Sequence, residues 1–201
     1  MYIPRFRNVG RPEAGFKRGY GYEVYTSRGS WTRGIDSAEF GADFKNVITR
    51  PGQWNLYMEG YGETLPYHDN RMWLSDQKDS WGMPVIQISM SYRDNERVMA
   101  KQMMDDAVEM MQAAKLENVS GFNKPVTPGS VIHEMGTARM GRDPKTSVLN
   151  AYNQVHSVPN IFVTDGSCMV SSPTQNPSLT YMALTARAAN HAVELLKRGE
   201  L

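Results

Sequence analysis

The sequence predicts an α+β fold: an antiparallel sheet with a covering helix, followed by a strand-turn-helix unit at its C-terminal end. Three observations carry this. Ile86, Ile88, Met90 and Tyr92 alternate with Gln87, Ser89 and Ser91, the two-residue period of a strand with one wet face. Directly afterwards Met99, Met103, Ala107, Met110 and Ala114 recur at helical spacing, with Lys101, Asp105, Glu109 and Gln112 opposite. Finally, Leu179, Met182, Ala186, Ala189, Val193 and Leu196 line one side of a long segment that stops at Gly199.

Taken in order, residues 1–50 are rich in Gly, Arg and aromatics and predict one strand, Tyr22–Thr26, with loop elsewhere. Strands are expected at Trp54–Glu59, Arg71–Leu74 and Pro84–Tyr92. No helix intervenes among them, which predicts antiparallel pairing in a sheet. A helix follows over about Asn95 to Lys115, with Asn95 as its N-cap. Its methionine stripe is read as the side that packs on the sheet, because Met fills irregular cores. Gly121, Pro125, Pro128 and Gly129 make the stretch up to Ser130 a linker. Beyond it come an irregular polar connection, a buried strand at Asn160–Thr164, the Asp165-Gly166 turn, and a helix from about Ser178 to Arg198. Two units are expected, 1–130 and 131–201.

Charge and cysteine usage narrow the function classes. Lys plus Arg total 22 and Asp plus Glu 21, for a net charge of +1, so no affinity for nucleic acid or acidic membranes follows from bulk charge. No apolar run reaches the length of a bilayer span, which predicts a soluble polypeptide. The lone Cys168 excludes an internal disulfide framework and a cysteine-rich metal site, and burial as a small apolar residue is its default. No His/Asp/Glu grouping has metal-ligand spacing, so no metal is expected. The compartment, cytoplasmic or periplasmic, stays open, since any export signal would precede Met1.

Chemistry concentrates in two segments, Val131–Gly141 and Ser172–Ser178. His133 is bracketed by a strand-like Ser130-Val131-Ile132 and by Gly136 and Gly141. An imidazole there can accept a proton near neutral pH, as oxidation of an alcohol requires of its base. Its plain alternative is a hydrogen bond to a nearby carbonyl. Asn176-Pro177-Ser178 opens the last helix, with Pro pre-shaped for the first turn and Asn176 as the N-cap. That helix start also offers free N–H groups to an anion. Asp165-Gly166 closes the short strand, where its carboxylate can accept hydrogen bonds from hydroxyls; the alternative is an ordinary Asp-Gly turn. His68, His156 and His191 are expected to be surface or structurally satisfied residues.

These segments carry a resemblance. His133-Glu134-Met135-Gly136-Thr137-Ala138-Arg139-Met140-Gly141, Val163-Thr164-Asp165-Gly166-Ser167 and Pro173-Thr174-Gln175-Asn176-Pro177-Ser178 resemble the C-terminal segment of glucose-methanol-choline (GMC) flavoprotein oxidoreductases. Gly141-Arg142-Asp143-Pro144 through Leu149-Asn150 looks closest to bacterial sugar and glucoside dehydrogenase catalytic subunits. The resemblance implies that residues 1–130 belong to a substrate-binding domain and 131–201 to the catalytic segment that returns to the FAD domain. It implies His133 as the proton acceptor and Asn176 as its companion, holding the developing alkoxide while hydride passes to flavin N5. Asp165 and Gly166 would approach the ribityl and phosphate region, and Asn176, Pro177 and Ser178 would place the positive end of a helix near the reduced ring. The implied partners are an alcohol or sugar substrate, an electron acceptor or acceptor subunit, and the N-terminal nucleotide-binding half of the same flavoprotein.

One feature departs from the family. Its Gly-x-Gly-x-x-Gly strand-turn-helix is absent, and Gly19-Tyr20-Gly21 neither follows an apolar strand nor opens a helix. The chain is therefore expected to be the C-terminal portion of a longer flavoprotein, or a truncated form, that binds FAD weakly or not at all by itself. The apolar faces of the 160–164 strand and the last helix are then expected to be exposed or repacked. Two rival readings stand beside FAD-dependent alcohol oxidation: a non-catalytic complementation module, and a lyase on the same scaffold.

Overall fold

The computed structural model describes residues 1–12 and 15–201. In chain order it contains β1 (Tyr2–Ile3), β2 (Tyr20–Arg28), a 3-10 turn (Trp31–Asp36), α1 (Gly41–Thr49), β3 (Trp54–Gly62), β4 (Arg71–Lys78), β5 (Pro84–Ser89), α2 (Asp94–Ala113), β6 (Gln154–Val155), β7 (Val158–Phe162), a second 3-10 turn (Gly166–Cys168) and α3 (Ser178–Lys197). The strands form three antiparallel groups, β1-β2-β3, β4-β5 and β6-β7.

The expected single sheet is therefore divided. After β3 the chain is drawn away toward α2, because the Leu65 amide and the Tyr67 hydroxyl both bond the Glu96 carboxylate. β4 and β5 then close on themselves as a hairpin, its turn held by the Asp79 carboxylate accepting from the Trp81 and Met83 amides. The two-residue period survives, with Met72 opposite Ile88 and Leu74 opposite Ile86, but Ile86 and Ile88 lie exposed. Regular pairing ends at Ser89; beyond it the Asn70 side chain takes over, bonding the Ser91 amide and carbonyl.

β2 is covered on both faces along its first half. Tyr20 and Tyr22 turn to one side and, with Phe16 and Met99, make the core cluster, against which Ile3, Met58, Met103, Ala107 and Met110 pack. The α2 stripe thus faces β2 and β3. Glycine makes this approach possible: a Cβ on Gly62 would stand 2.6 Å from Met99 Cε, and one on Gly60 would run into Met103 Sδ. The Tyr22 hydroxyl donates to the Met103 carbonyl at 2.6 Å. On the opposite face, Gly21 leaves room for Thr174, whose Oγ1 would lie 3.0 Å from a Cβ there.

A buried polar knot ties the N-terminal segment to α2. Asp106, 4% exposed, accepts from Arg7 Nε at 2.9 Å and Nη2 at 2.8 Å, from the Tyr20 hydroxyl at 2.6 Å, and from Gln102 Nε2 at 2.8 Å. The Arg7 guanidinium holds the Asp106 carboxyl down at about 2, and burial pushes the Tyr20 phenol well above its ordinary value.

Several local expectations change. α2 starts one residue before Asn95, with Arg93 at its N-cap, because the Glu96 carboxylate reaches back to the Arg93 amide at 2.9 Å. The Asn95 side chain instead accepts from the Lys17 amide. The first 3-10 turn and α1 occupy part of what reads as loop; Arg33 joins them by donating to the carbonyls of Val47 and Arg50 at the end of α1. The N-cap of α3 is Pro177, and Asn176 makes no cap bond. At the other end Gly199 adopts φ +70, as its position past the helix predicts, and the Glu200 amide returns to the Leu195 carbonyl.

The strand expected to be buried at 160–164 is β7, shifted to Val158–Phe162 and largely exposed, because its one neighbour is the two-residue β6. On α3 the buried positions are Ala188 and Leu195, flanked by half-buried Tyr181, Leu184 and His191. The stripe of Leu179, Met182, Val193 and Leu196 faces outward, with Leu179 79% exposed. Both apolar faces are thus exposed rather than repacked.

The Asp106 knot sets an acid limit on stability. A carboxyl held at about 2 against an ordinary value of 3.8 contributes about 2 kcal/mol. That contribution is complete above the ordinary value and disappears as pH falls toward 2. Urea unfolding should show a fall in stability of that size between pH 5 and pH 2, and Asp106→Asn should be less stable at pH 6 while losing much of this acid dependence.

Candidate active site

The segment from Val131 to Arg139 has no regular secondary structure, so His133 does not sit at a strand end. The reason lies just upstream: Pro128 and Gly129 (φ +80) make a turn closed by the Ser130 amide and hydroxyl, both donating to the Thr127 carbonyl. The loop is fixed from downstream instead. The Ala138 amide donates to the Ser167 carbonyl at 3.0 Å and the Met140 amide to the Cys168 carbonyl at 2.9 Å. The Arg139 carbonyl accepts from the Val148 and Leu149 amides. Gly166 lies at the point of closest approach: a Cβ there would stand 2.7 Å from the Tyr181 hydroxyl and 3.2 Å from the Glu134 carbonyl.

His133 is half-buried and makes no hydrogen bond among the described residues. It lines an open cleft of about 2700 Å³ whose wall also includes Asn176, Tyr61, Tyr67 and Arg139. The predicted imidazole and carboxamide are both on the wall of this extended cleft, which also runs along β3, α2 and the 115–137 segment. Asp165, Gly166, Pro177 and Ser178 are not on that wall. Asp165 is exposed and caps the second 3-10 turn, its Oδ1 accepting from the Ser167 amide at 2.9 Å and from the Ser167 hydroxyl. Pro177 is buried and Ser178 exposed at the first turn of α3.

Asn176 is held from outside the cleft. Its Nδ2 donates to the Tyr2 hydroxyl at 2.8 Å and to Glu23 Oε1 at 2.8 Å. Both N–H bonds of the amide are thus engaged, and Oδ1 is the group left for a ligand. Glu23, 8% exposed in β2, also accepts from the Tyr25 hydroxyl. The Tyr2 phenol is raised above its ordinary value by its hydrogen bond to Glu23. Neither Glu23 nor Tyr2 stands out among the motifs, yet a single carboxylate inside Tyr22-Glu23-Val24-Tyr25 was a signal available to reading.

The remaining candidates behave as structural groups. His156 Nε2 hydrogen-bonds the Ser147 hydroxyl at 3.1 Å, and His191 stacks on Tyr152 at 3.9 Å. Cys168 is fully buried and burial pushes its thiol up. Among the described residues no group of three or more His, Cys, Asp or Glu is arranged to hold a metal ion, and no helix is long and apolar enough to cross a membrane.

The family profile described as GMC oxidoreductase matches residues 66–185, a span that contains both His133 and Asn176. The chain belongs to the GMC oxidoreductase family. Among curated GMC relatives, 2-methyl-1,2-propanediol dehydrogenase of Mycolicibacterium austroafricanum is 32% identical over 188 residues, covering 88% of this chain and 33% of that protein. The fructose dehydrogenase large subunit of Gluconobacter japonicus is 33% identical over 141 residues, 68% of this chain and 25% of that protein. The gluconate 2-dehydrogenase flavoprotein of Pantoea cypripedii is 28% identical over 153 residues, 73% of this chain and 25% of that protein. The chain spans about a third or less of the length of these GMC relatives.

The crowding at Gly166 makes this GMC segment testable. Gly166→Ala should push Tyr181 and the Glu134 carbonyl apart at a cost of about 1–3 kcal/mol. A lowered melting temperature should be accompanied by faster hydrogen exchange at the Ala138 and Met140 amides, with the Asp106 region unaffected.

Proposed function

We propose that this chain supplies the substrate-side residues of an FAD-dependent oxidoreductase acting on a primary or secondary alcohol, of the kind carried by a sugar or glycoside. The observation that supports it is the shared cleft wall: His133 free of hydrogen-bond partners and Asn176 with its carbonyl oxygen open. This donor set fits the reactive ring end of a flavin with an alcohol held against it. Residues 1–130 are assigned to substrate binding and 131–201 to the catalytic segment that returns to the FAD domain. Asp165-Gly166 and the Pro177-Ser178 helix start are assigned to the cofactor's side, where an exposed carboxylate can accept hydrogen bonds from hydroxyls and a helix N-terminus favours negative charge.

When bound, FAD would take up the hydride from the carbinol carbon. The protein's own contribution begins with His133, whose open ring nitrogen accepts the hydroxyl proton. Asn176 orients the substrate beside it, which converts an encounter into a prearranged geometry. The nucleotide end of FAD calls for an N-terminal half of the same flavoprotein, and the electrons for an acceptor or acceptor subunit. The names of the relatives described above support the substrate class, since they include a fructose dehydrogenase and a gluconate 2-dehydrogenase.

Anaerobic mixing of the FAD-loaded flavoprotein, completed by its nucleotide-binding half, with a panel of sugars and glycosides tests this reading. Bleaching of the flavin band is expected, and His133→Ala should slow it by ~10²–10⁴. The melting temperature should hardly change, because the imidazole makes no hydrogen bond that folding relies on. Bound flavin that never bleaches would turn the assignment toward a lyase. Absence of flavin beside the nucleotide-binding half would turn it toward a complementation module.

A further inference from the structure

We infer that Glu23 is a positioning residue that fixes Asn176 as a hydrogen-bond acceptor, and that this makes a second hydroxyl on the substrate a condition for efficient reaction. The inference rests on the function proposed above and narrows its substrate class to diols and polyols.

The Asn176 amide has two N–H donors and one carbonyl acceptor. Its N–H groups are spent on Tyr2 and Glu23, at 2.8 Å each. An ionised carboxylate can only accept, so Glu23 demands the NH2 side of the amide and turns Oδ1 to the cleft. Glu23 is suited to hold that orientation. It is buried in β2, on the face that meets the Pro173–Asn176 segment, and is itself gripped by the Tyr25 hydroxyl. Asn176 lines the cleft whereas Glu23 does not, so Glu23 acts on a ligand through Asn176.

An acceptor at this place has a chemical consequence. The hydroxyl being oxidised gives its one hydrogen to His133 and has none left for Asn176. Its developing alkoxide also gains nothing from a carbonyl oxygen. The role of holding the alkoxide, implied for Asn176 by the family resemblance, therefore does not match the way its N–H groups are used. Oδ1 is satisfied by a different donor, a neighbouring O–H of the same substrate. A monohydric alcohol offers this oxygen no donor, so the hydrogen bond that orients the diol is missing. The proton balance is unchanged: one proton goes to His133, one hydride to the flavin, and the second hydroxyl keeps its hydrogen throughout.

Three secondary alcohols that differ at one substituent of the carbinol separate the outcomes: propane-1,2-diol, its ether 1-methoxypropan-2-ol, and propan-2-ol. With the FAD-loaded protein, kcat/KM for the diol should exceed that for the ether by roughly 10–100-fold. Glu23→Ala should collapse the ratio to within a few-fold, and in an Asn176→Ala background it should change nothing further. Glu23→Gln guards against misfolding: its amide can also donate to Asn176 Oδ1, so the ratio should fall while the melting temperature holds. Without flavin, the Asn176 side-chain amide protons should exchange slowly in nitrogen-15 spectra of the wild-type chain and rapidly in Glu23→Ala. A diol-to-ether ratio that survives Glu23→Ala, effects of Glu23→Ala and Asn176→Ala that simply add, or unchanged amide exchange would each overturn the inference. His133→Ala keeps the two levels apart: it should slow diol and ether alike. If it slows neither, the proposed function fails; if it slows both and the ratio ignores Glu23, only the role of Glu23 does.

Discussion

The bonds from the Ala138 amide to the Ser167 carbonyl and from the Met140 amide to the Cys168 carbonyl place the His133 loop. A segment with Pro and Gly upstream and no regular structure of its own has no intrinsic shape, so its position is borrowed from the turn it leans on. The Tyr181 hydroxyl of α3 lies close to Gly166 and donates to Met135 Sδ of the loop at 3.7 Å. A second brace lies behind it. The buried Asn153 side chain donates to the Val163 carbonyl at 2.9 Å and accepts from Arg187 of α3 at 3.1 Å. These bonds link the loop, the short β6-β7 pair and α3.

The carboxamide has a different foundation. Asn176 is tied to β1 and β2 by Tyr2 and Glu23, and β2 is pressed on its other face by α2. The strand can be covered on both sides because its alternate residues differ in kind. Tyr20 and Tyr22 give bulk to the core, while Gly21 and Glu23 give clearance and a polar anchor to the segment before α3. The two halves of the site thus rest on separate packing units that meet at the Ser172–Asn176 connection. Small shifts between those units would alter the spacing of base and carboxamide more than any change within either.

Much of this was legible from local pattern. The helical stripe of Met99, Met103, Ala107 and Met110 placed α2 and its packed side, and Gly199 marked the end of α3. The His133 and Asn176 wording picked out two of the residues on the cleft wall. What local pattern could not reach was decided at long range. Asn176 reads as an N-cap, yet a buried carboxylate far back in the chain takes its amide. Asn95 likewise yields the cap to Arg93 because Glu96 closes back on it and Lys17 takes the Asn95 side chain. On α3, alanines widen the apolar arc beyond half the circumference, so periodicity alone could not choose between the Leu179 stripe and the Ala188–Leu195 face. For the sheet, strand propensity was right and strand partnership was not, since Glu96 diverts the chain between β3 and β4.

Cys168 adds a consequence of its own. The chain has a single sulfhydryl, fully buried, at the residue whose carbonyl receives the Met140 amide. Burial raises that thiol, so little nucleophilic thiolate forms while the structure is closed. Alkylating reagents therefore reach it only during excursions that separate the imidazole loop from its support, and the labelling rate becomes a stopwatch for those openings.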